Sequence, residues 1–166
     1  KMNESQYEAL VRLIDKFSGT EGIQPTVIPG VNSIRLTEIN DRLPSVYSPS
    51  LCVIVQGIKR VLLGEEIYQY QPSEYLVVSV DLPVIGQVVE AEPDKPYLCL
   101  QIELDLQQLA ELILETRFEV NSQMPSQRGI FVGKVDELMG DAVLRLARLL
   151  EATQDIALLA PMIKRE

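Results

Sequence analysis

The feature that most constrains the fold is a series of short strand patterns set closely together along residues 26–104. Each alternates apolar and polar residues or forms a run of β-branched residues, and both arrangements favour strands. The seven predicted strands are Ser33–Ile39, Leu51–Gln56, Lys59–Leu63, Ile67–Tyr70, Tyr75–Val80, Val84–Glu90 and Tyr97–Leu104. The intervals leave no room for the crossover helices that parallel neighbours need. We therefore predict an antiparallel sandwich or closed barrel rather than an α/β fold.

The N-terminal segment has a different period. Asn3 and Gln6 have the spacing of a capping box, and Gly19 follows the last turn, which together predict a helix over residues 3–18. Tyr7 and later apolar residues recur at helical spacing, so this helix has an apolar stripe that must pack on the β-structure.

Residues 105–166 form a predicted helical region. Asp105 can cap one helix, and a second helix is predicted from Val135 to Glu151. Apolar residues of this last helix are spaced alternately by four and three: Val135, Met139, Ala142, Leu146 and Leu149. This spacing covers two heptads.

Two interpretations of that stripe stay open. Leu138, Val143 and Leu150 widen it to the face that a helix presents when it packs on a barrel. The four-and-three spacing is also typical of a short seam between two helices, through which two copies of the chain would pair. Leu144 interrupts the opposite polar face. The predicted dimer-interface residues are Val135, Met139, Ala142, Leu144, Leu146 and Leu149.

The composition excludes several kinds of chemistry. No histidine occurs among the 166 residues, so Ser-His couples, HExxH zinc sites and facial triads are excluded. A formal net charge of −9 would repel phosphate backbones, so we expect this chain not to bind nucleic acid by itself. We predict no catalytic residue, no metal site and no cofactor.

The chain has two cysteines, Cys52 and Cys99. Two are too few for a disulfide scaffold, which favours a cytoplasmic protein with reduced thiols in its core. In apolar surroundings such thiols have a raised pKa and are inert. No stretch approaches the ~18 apolar residues of a membrane span, so we expect no membrane partner.

Isolated polar side chains interrupt the apolar runs of the predicted strands. They are Gln56, Arg60, Tyr68, Tyr70, Ser79, Gln87 and Gln101. A barrel of this size can hold one small ligand, oriented by a few polar groups. Strand alternation would instead put about half of these side chains on the solvated face. The predicted ligand-binding residues are Gln56, Arg60, Tyr68, Tyr70, Ser79 and Gln101, and Tyr68 and Tyr70 share one face.

Several ordered strings of the chain resemble the N-terminal domain of bacterial AraC-type transcription regulators. The strings are Pro49–Gly57, Lys59–Gly64, Tyr75–Val84, Gln87–Ala91, Pro96–Leu98 and Leu159–Glu166. The resemblance covers nearly the whole chain from about Thr26. It implies a mainly β fold with helices: a cupin-like antiparallel β-barrel, or double-stranded β-helix, with an N-terminal helix and a C-terminal helical pair.

The resemblance also implies a function. We expect residues 1–166 to form a single regulatory domain with the barrel over 26–104 and a helical dimerisation region over 105–166. The domain would sense a small effector, form a homodimer and act in the cytoplasm without enzymatic activity. The resemblance also implies a DNA-binding helix-turn-helix domain, which is absent here and is expected beyond residue 166; this fits the end of the chain inside a predicted helix. The alternatives are a ligand-free dimerisation module with a filled barrel, and a cupin enzyme.

Overall fold

The computed structural model describes residues 2–40, 42–105, 107 and 129–164, with side chains described as far as residue 152. The described helices are α1 (Glu4–Ser18) and α2 (Glu137–Lys164). The described strands are β1 (Gly22–Pro25), β2 (Val31–Leu36), β3 (Leu43–Tyr47), β4 (Ser50–Gln56), β5 (Ile58–Leu63), β6 (Glu66–Tyr70), β7 (Glu74–Val78), β8 (Leu82–Glu90), β9 (Tyr97–Glu103) and β10 (Ile130–Lys134). The helix predicted to begin at Asp105 lies almost wholly outside the described residues.

The strands form two antiparallel sheets that face each other. One has the order β1-β2-β9-β4-β7-β10 and the other the order β3-β8-β5-β6. Every strand pair is antiparallel, which confirms the predicted mainly β, cupin-like barrel.

Three strands were missing from the sequence-based prediction. They are β1, β3 and β10, and two of them lie partly or wholly outside residues 26–104. Pro25 and Pro44 interrupt the local strand signal of β1 and β3, although a proline is tolerated on an edge strand, and both strands lie at sheet edges. β10 is a short run that begins Ile130-Phe131-Val132, and its place in the sheet is set by a long-range pairing with β7, in which Ile130 lies opposite Val78.

Both faces of the six-stranded sheet are buried. On β9, Leu98 and Leu100 point to the helices, while Tyr97 and Cys99 point between the two sheets. This double burial explains why β4 and β9 read as continuous apolar runs rather than alternating ones.

The helices cover the outer face of the six-stranded sheet and run in the same direction. Near their starts, Gln6 Nε2 donates to Asp141 Oδ1 at 2.6 Å. Near the end of α1, Lys16 Nζ lies 3.1 Å from Glu151 Oε1. Leu10 is fully buried beneath them. α2 is therefore held against α1 and the sheet along the roughly three turns between these contacts.

The start of α1 confirms the capping box. Asn3 Oδ1 accepts from the backbone N–H of Gln6 at 2.9 Å, and Gln6 Oε1 accepts from the backbone N–H of Asn3 at 3.1 Å. Each side chain therefore satisfies a helix-terminal N–H that would otherwise lack a partner within the helix.

Asn3→Ala is expected to lower the free energy of unfolding by about 1 kcal/mol, because it removes this cap. Urea unfolding followed by circular dichroism measures the loss. Ser5→Ala, at an exposed position of the same turn, is the matched control and should change stability by less than about 0.5 kcal/mol. Equal losses in both variants would show that the cap is not what stabilises this turn.

The structure corrects the predicted face of α2. Val135, just before the helix, and Leu144, within it, are buried in the core of a single chain, so neither can contact a second copy. Leu144 was predicted to interrupt the polar face. The buried residues of the helix are instead Gly140, Val143, Leu144, Ala147 and Leu150. At 100° per residue these five residues lie on one face of α2. This is the face that packs against α1 and the six-stranded sheet.

The other predicted seam residues lie at the edge of this face or outside it. Met139 and Leu146 are half-buried against the core. Ala142 is exposed, and Leu149 is 55% exposed. Leu138, 80% exposed, lies beside them on the helix surface. Leu138, Ala142 and Leu149 thus form an outward apolar strip, which we call the α2 strip.

Candidate functional site

A cavity of about 420 Å³ lies between the two sheets. Pockets that hold small ligands have volumes of about 300–1,000 Å³. Its first wall is the six-stranded sheet, which contributes Asn32, Ser50, Cys52, Cys99 and Gln101. Its second wall is the four-stranded sheet, which contributes Ser45, Val46, Tyr47, Lys59 and Tyr70. The cavity is therefore the interior of the barrel.

Strand register explains why the residues of the first wall converge. Gln101 of β9 is paired with Asn32 of β2 on one side and with Cys52 of β4 on the other. Residues directly opposite in an antiparallel pair point to the same face, so all three point inward. Asn32 Nδ2 donates to Gln101 Oε1 at 3.0 Å, which fixes the orientation of both amides.

On the second wall, Lys59 of β5 is paired with Tyr70 of β6. Lys59 Nζ lies 5.2 Å from the centre of the Tyr47 ring, within range of a cation–π contact. The hydroxyl groups of Tyr47 and Tyr70 are hydrogen-bonded at 3.3 Å. Gly86 of β8 provides the room: a Cβ there would lie 3.3 Å from the Tyr47 hydroxyl and 3.5 Å from Lys59 Cε.

The deep end of the cavity is neutral. Tyr70 and Tyr97 are almost completely buried. Burial raises the pKa of Tyr70 well above its usual value, and nearby Tyr97 and Tyr47 add to this shift. Burial likewise raises the pKa of Tyr97. Both phenols therefore stay protonated at neutral pH and can donate and accept hydrogen bonds.

Lys59 is the cation of the cavity wall. Within the described part of the chain the ion pairs are Lys16–Glu151 and Arg35–Asp15, so no described carboxylate neutralises Lys59. Glu103 also lines the cavity, but it is exposed and Asn32 Nδ2 donates to it at 3.4 Å. The interior consequently offers an anion a single positive group beside neutral hydrogen-bonding groups.

Two of the predicted ligand-binding residues line this cavity, Tyr70 and Gln101. Tyr68 points to the same side of β6 as Tyr70, but it packs against the apolar core between the sheets and its hydroxyl donates to Glu66. The structure does not bring Tyr68 to the cavity wall.

Gln56 and Ser79 lie away from the cavity. Gln56 is buried, and its Nε2 donates to the carbonyl oxygen of Pro96 at 2.8 Å, which ties β4 to the start of β9. Ser79 follows β7, and its backbone N–H donates to the carbonyl oxygen of Gly129 at 2.9 Å. Both contacts join segments of the barrel.

Arg60 points away from the barrel interior. Its Nη2 donates to Gln69 Oε1 at 3.0 Å on the outer face, and its β8 partner there is Gln87. Lys59, the neighbouring residue, points inward and was not predicted. Lys59 lies two residues before Val61, so both side chains point to the same side of β5. Val61 is fully buried, and this spacing from an apolar residue is the signal that could have identified Lys59.

The two thiols of the first wall have different properties. Cys99 is buried, and its pKa is raised by hydrogen bonding with Cys52 and by burial, as predicted. The prediction of a raised pKa is wrong for Cys52. Hydrogen bonding with Cys99 lowers the pKa of Cys52 and, although burial opposes the shift, Ser50, Lys59 and Gln101 reinforce it.

Two further findings concern the described residues. No group of three or more side chains among them is arranged to hold a metal ion. None of the described helices is both long and apolar enough to cross a membrane.

Comparisons with solved structures show the fold. ToxT from Vibrio cholerae O395, bound to (E)-4-(8-methylnaphthalen-1-yl)but-3-enoic acid, superposes with a TM-score of 0.51 at 9% identity, covering 76% of this chain and 48% of that one. Another ToxT structure from Vibrio cholerae has a TM-score of 0.49 at 10% identity, covering 72% and 46%. Oxalate decarboxylase from Bacillus subtilis has a TM-score of 0.34 at 17% identity, covering 74% and 41%.

This chain thus spans about half the length of the ToxT structures. The comparison with curated proteins gives no match. The model of the AraC-type transcriptional regulator N-terminus matches residues 27–166, most of the chain. The resemblance inferred from the sequence strings is confirmed: the chain belongs to the family of AraC-type transcriptional regulators, in the part that forms their N-terminus.

Proposed function

We propose that residues 1–166 are a single non-enzymatic regulatory domain that binds a small effector in the barrel cavity. The observation that carries this proposal is an internal cavity of about 420 Å³ lined by convergent polar groups and one unpaired cation, Lys59. A barrel serving only as a scaffold would fill its interior with its own side chains. The cavity therefore favours ligand binding over a ligand-free dimerisation module.

The chemistry of the walls points to an effector with an anionic end and an apolar body. A carboxylate could accept hydrogen bonds from Lys59 and from the Tyr47 or Tyr70 hydroxyl. Among the apolar lining residues Ile34 is buried, whereas Ile23 and Val46 are exposed. The acid bound to ToxT has this combination of groups, which makes it a suitable first probe.

The α2 strip supports the second part of the proposal, a homodimer. Leu138, Ala142 and Leu149 lie on the exposed side of the helix, away from the core that holds α2 in place. A second copy of α2 packed on this strip would cover all three. The helix-turn-helix units proposed to lie beyond residue 166 would then be held in pairs, in the cytoplasm, where the chromosome is.

Effector binding would regulate such a dimer only by differential affinity. A ligand that binds one arrangement of the two copies more tightly shifts the population toward it, and a ligand with equal affinity for both shifts nothing. A cupin enzyme is not favoured by any described group, and the chain has no histidine.

Lys59→Met is expected to weaken binding of the naphthyl-butenoic acid by roughly 10- to 100-fold, the effect of losing one charge-assisted hydrogen bond. Isothermal titration calorimetry measures it. Arg60→Met is the matched control, because it removes the same charge from the neighbouring residue on the outer face. The primary amide of the acid should bind wild-type protein about as weakly as the acid binds Lys59→Met.

Equal losses in the two variants would contradict binding in the cavity, because Arg60 cannot reach it. Equal affinity for the acid and its amide would contradict recognition of an anionic end. No binding of the acid to the wild-type protein would remove this ligand class from the proposal.

A further inference from the structure

The four-stranded sheet carries an apolar row across the face that points away from the barrel interior. Ile85 of β8 lies opposite Pro44 of β3 on one side and opposite Leu62 of β5 on the other. Leu62 in turn lies opposite Ile67 of β6. Residues opposite one another point to the same face, and Leu62 follows the inward-pointing Val61, so these four residues point outward. We call them the apolar row.

The apolar row is exposed to solvent. Ile67 is 61% exposed and Ile85 is 40% exposed, while the described helices pack on the other sheet. A depression of about 620 Å³ lies beside the row and is lined by Pro44, Leu62, Pro83 and Ile85. The solvated face of an antiparallel sheet is ordinarily polar. A continuous exposed apolar patch is typical of a surface that another molecule covers.

Charged residues of opposite sign lie on the two sides of the apolar row. On one side, Arg60 of β5 and Arg42, just before β3, each lie two residues before a member of the row. On the other side, Glu65 is at the tip of the β5–β6 hairpin and Asp81 precedes β8. Arg42, Glu65 and Asp81 are exposed, and Arg60 is half-buried on the outer face. The row therefore separates a basic side from an acidic side.

We propose that this face is a second self-association surface, on which two copies of the chain pack sheet against sheet about a two-fold axis parallel to the apolar row. Rotation about this axis keeps each strand opposite its own copy and reverses the direction along the strand. The two apolar rows then lie on each other, and Arg60 faces the partner's Glu65. A two-fold axis along the strands would instead place basic side against basic side.

The charge pattern selects a second copy as the occupant. Each chain has a net charge of −9, so two copies repel at long range and a specific contact needs local charges that match. Symmetry makes each match occur twice, between Arg60 and the partner's Glu65 and between Arg42 and the partner's Asp81. The inference goes beyond the proposed function, because the α2 strip lies on the helix-covered side of the molecule and uses none of these residues.

The size of the face determines the strength of the contact. Four strands about 4.8 Å apart, each with about five residues, cover roughly 320 Å² per copy. Both copies together bury roughly 650 Å², below the range of about 1,200–2,000 Å² of stable interfaces. The contact is therefore weak, with a dissociation constant of roughly 0.1–1 mM. It forms where copies are held close together, since effective concentrations then reach the millimolar range.

Sedimentation equilibrium of Leu149→Asp from about 10 μM to 1 mM tests the proposal, because a carboxylate on the α2 strip prevents association there. We expect monomers at the low end and a monomer–dimer equilibrium at the high end. Adding Ile85→Asp should weaken the association at least about tenfold, because two carboxylates would face each other on the axis. Adding Leu138→Asp instead, on the helix-covered side, is the matched control and should leave the association unchanged.

Charge reversal in the same background tests the axis. Arg60→Glu should weaken the association roughly tenfold, because the new carboxylate faces the partner's Glu65. Combining Arg60→Glu with Glu65→Arg should restore the association, since the pair forms again with its signs exchanged. Arg148→Glu, at an exposed position of α2, changes the net charge by the same amount as Arg60→Glu and should have no effect.

Two results would overturn self-association through this face. They are no association of Leu149→Asp up to about 1 mM, which would leave the face to a different partner, and an association that Ile85→Asp does not weaken. A charge-swapped variant as weak as Arg60→Glu would overturn the proposed axis. Retained circular dichroism of each variant separates a lost contact from a folding defect. Association of the otherwise unchanged chain at low micromolar concentration reports separately on the α2 strip.

Discussion

Leu144→Asp is expected to lose most of its folded population, whereas Leu149→Asp, on the same helix, is expected to fold normally. Leu144 is 5% exposed and packs in the core beneath α2. Truncating such a residue costs about 2–5 kcal/mol, and an unpaired carboxylate in its place adds several more. That sum approaches the whole stability of a typical domain, about 5–15 kcal/mol.

Leu149 provides the comparison because the same change there puts the carboxylate in water. Its free energy of unfolding should change by less than about 0.5 kcal/mol. In the proposed homodimer, two copies of the new carboxylate would face each other on the α2 strip, so Leu149→Asp should be a folded monomer. Urea unfolding and sedimentation velocity measure the two properties separately.

The two variants thereby distinguish the core face from the dimer seam. A folded, monomeric Leu144→Asp would mean that Leu144 lies at the seam, as the sequence predicted, and not in the core. A folded Leu149→Asp that stays dimeric would remove the α2 strip as the interface and leave the core assignment unchanged.

Gly57→Ala is expected to lower the free energy of unfolding by about 3 kcal/mol or more. Gly57 joins β4 to β5 with a φ of +83°, a region that L-residues rarely adopt. An added Cβ would also lie 2.7 Å from the carbonyl oxygen of Glu90 and 2.8 Å from Tyr97 Cα. Both are backbone atoms of the barrel, so relief requires two strands to move apart.

Gly22→Ala is the matched control for this prediction. Gly22 also has a positive φ, +96°, but an added Cβ would meet no atom within 4 Å. Its loss should be only the conformational cost, about 1–2 kcal/mol. Urea unfolding measures the loss of stability in each variant. The loss in Gly57→Ala minus the loss in Gly22→Ala is the cost of the contact between the added Cβ and the backbone of Glu90 and Tyr97. Equal losses would show that the backbone around Gly57 yields easily.

The sequence predicted the features that depend on neighbouring residues and missed those that depend on contacts between residues far apart in the chain. Strand alternation, turn residues and the Asn3 cap act over a few residues, and the barrel class and α1 followed from them correctly. β10 was missed because its pairing with β7 joins residues about 50 positions apart. The thiols were grouped as equivalent because only the packing of the folded chain shows that Cys99 is buried and Cys52 half-buried.

The candidate site shows the same division. Tyr70 and Gln101 were predicted from polarity, but polarity also selected Arg60, which points outward. On a strand, neighbouring residues point to opposite faces, and choosing the inner face requires knowing which sheet lies opposite. For β5, which belongs to the four-stranded sheet, the six-stranded sheet lies opposite, and Lys59 rather than Arg60 points toward it into the cavity.

By itself, the sequence determined an antiparallel barrel with a capped N-terminal helix, family membership, and the exclusion of histidine chemistry. These follow from residue identity and short-range spacing. The tertiary structure decided which face of each element is buried. Docking α2 on α1 and the six-stranded sheet placed Leu144 inside and Leu149 outside, since a helix with apolar residues on several sides is oriented only by the surface it packs against.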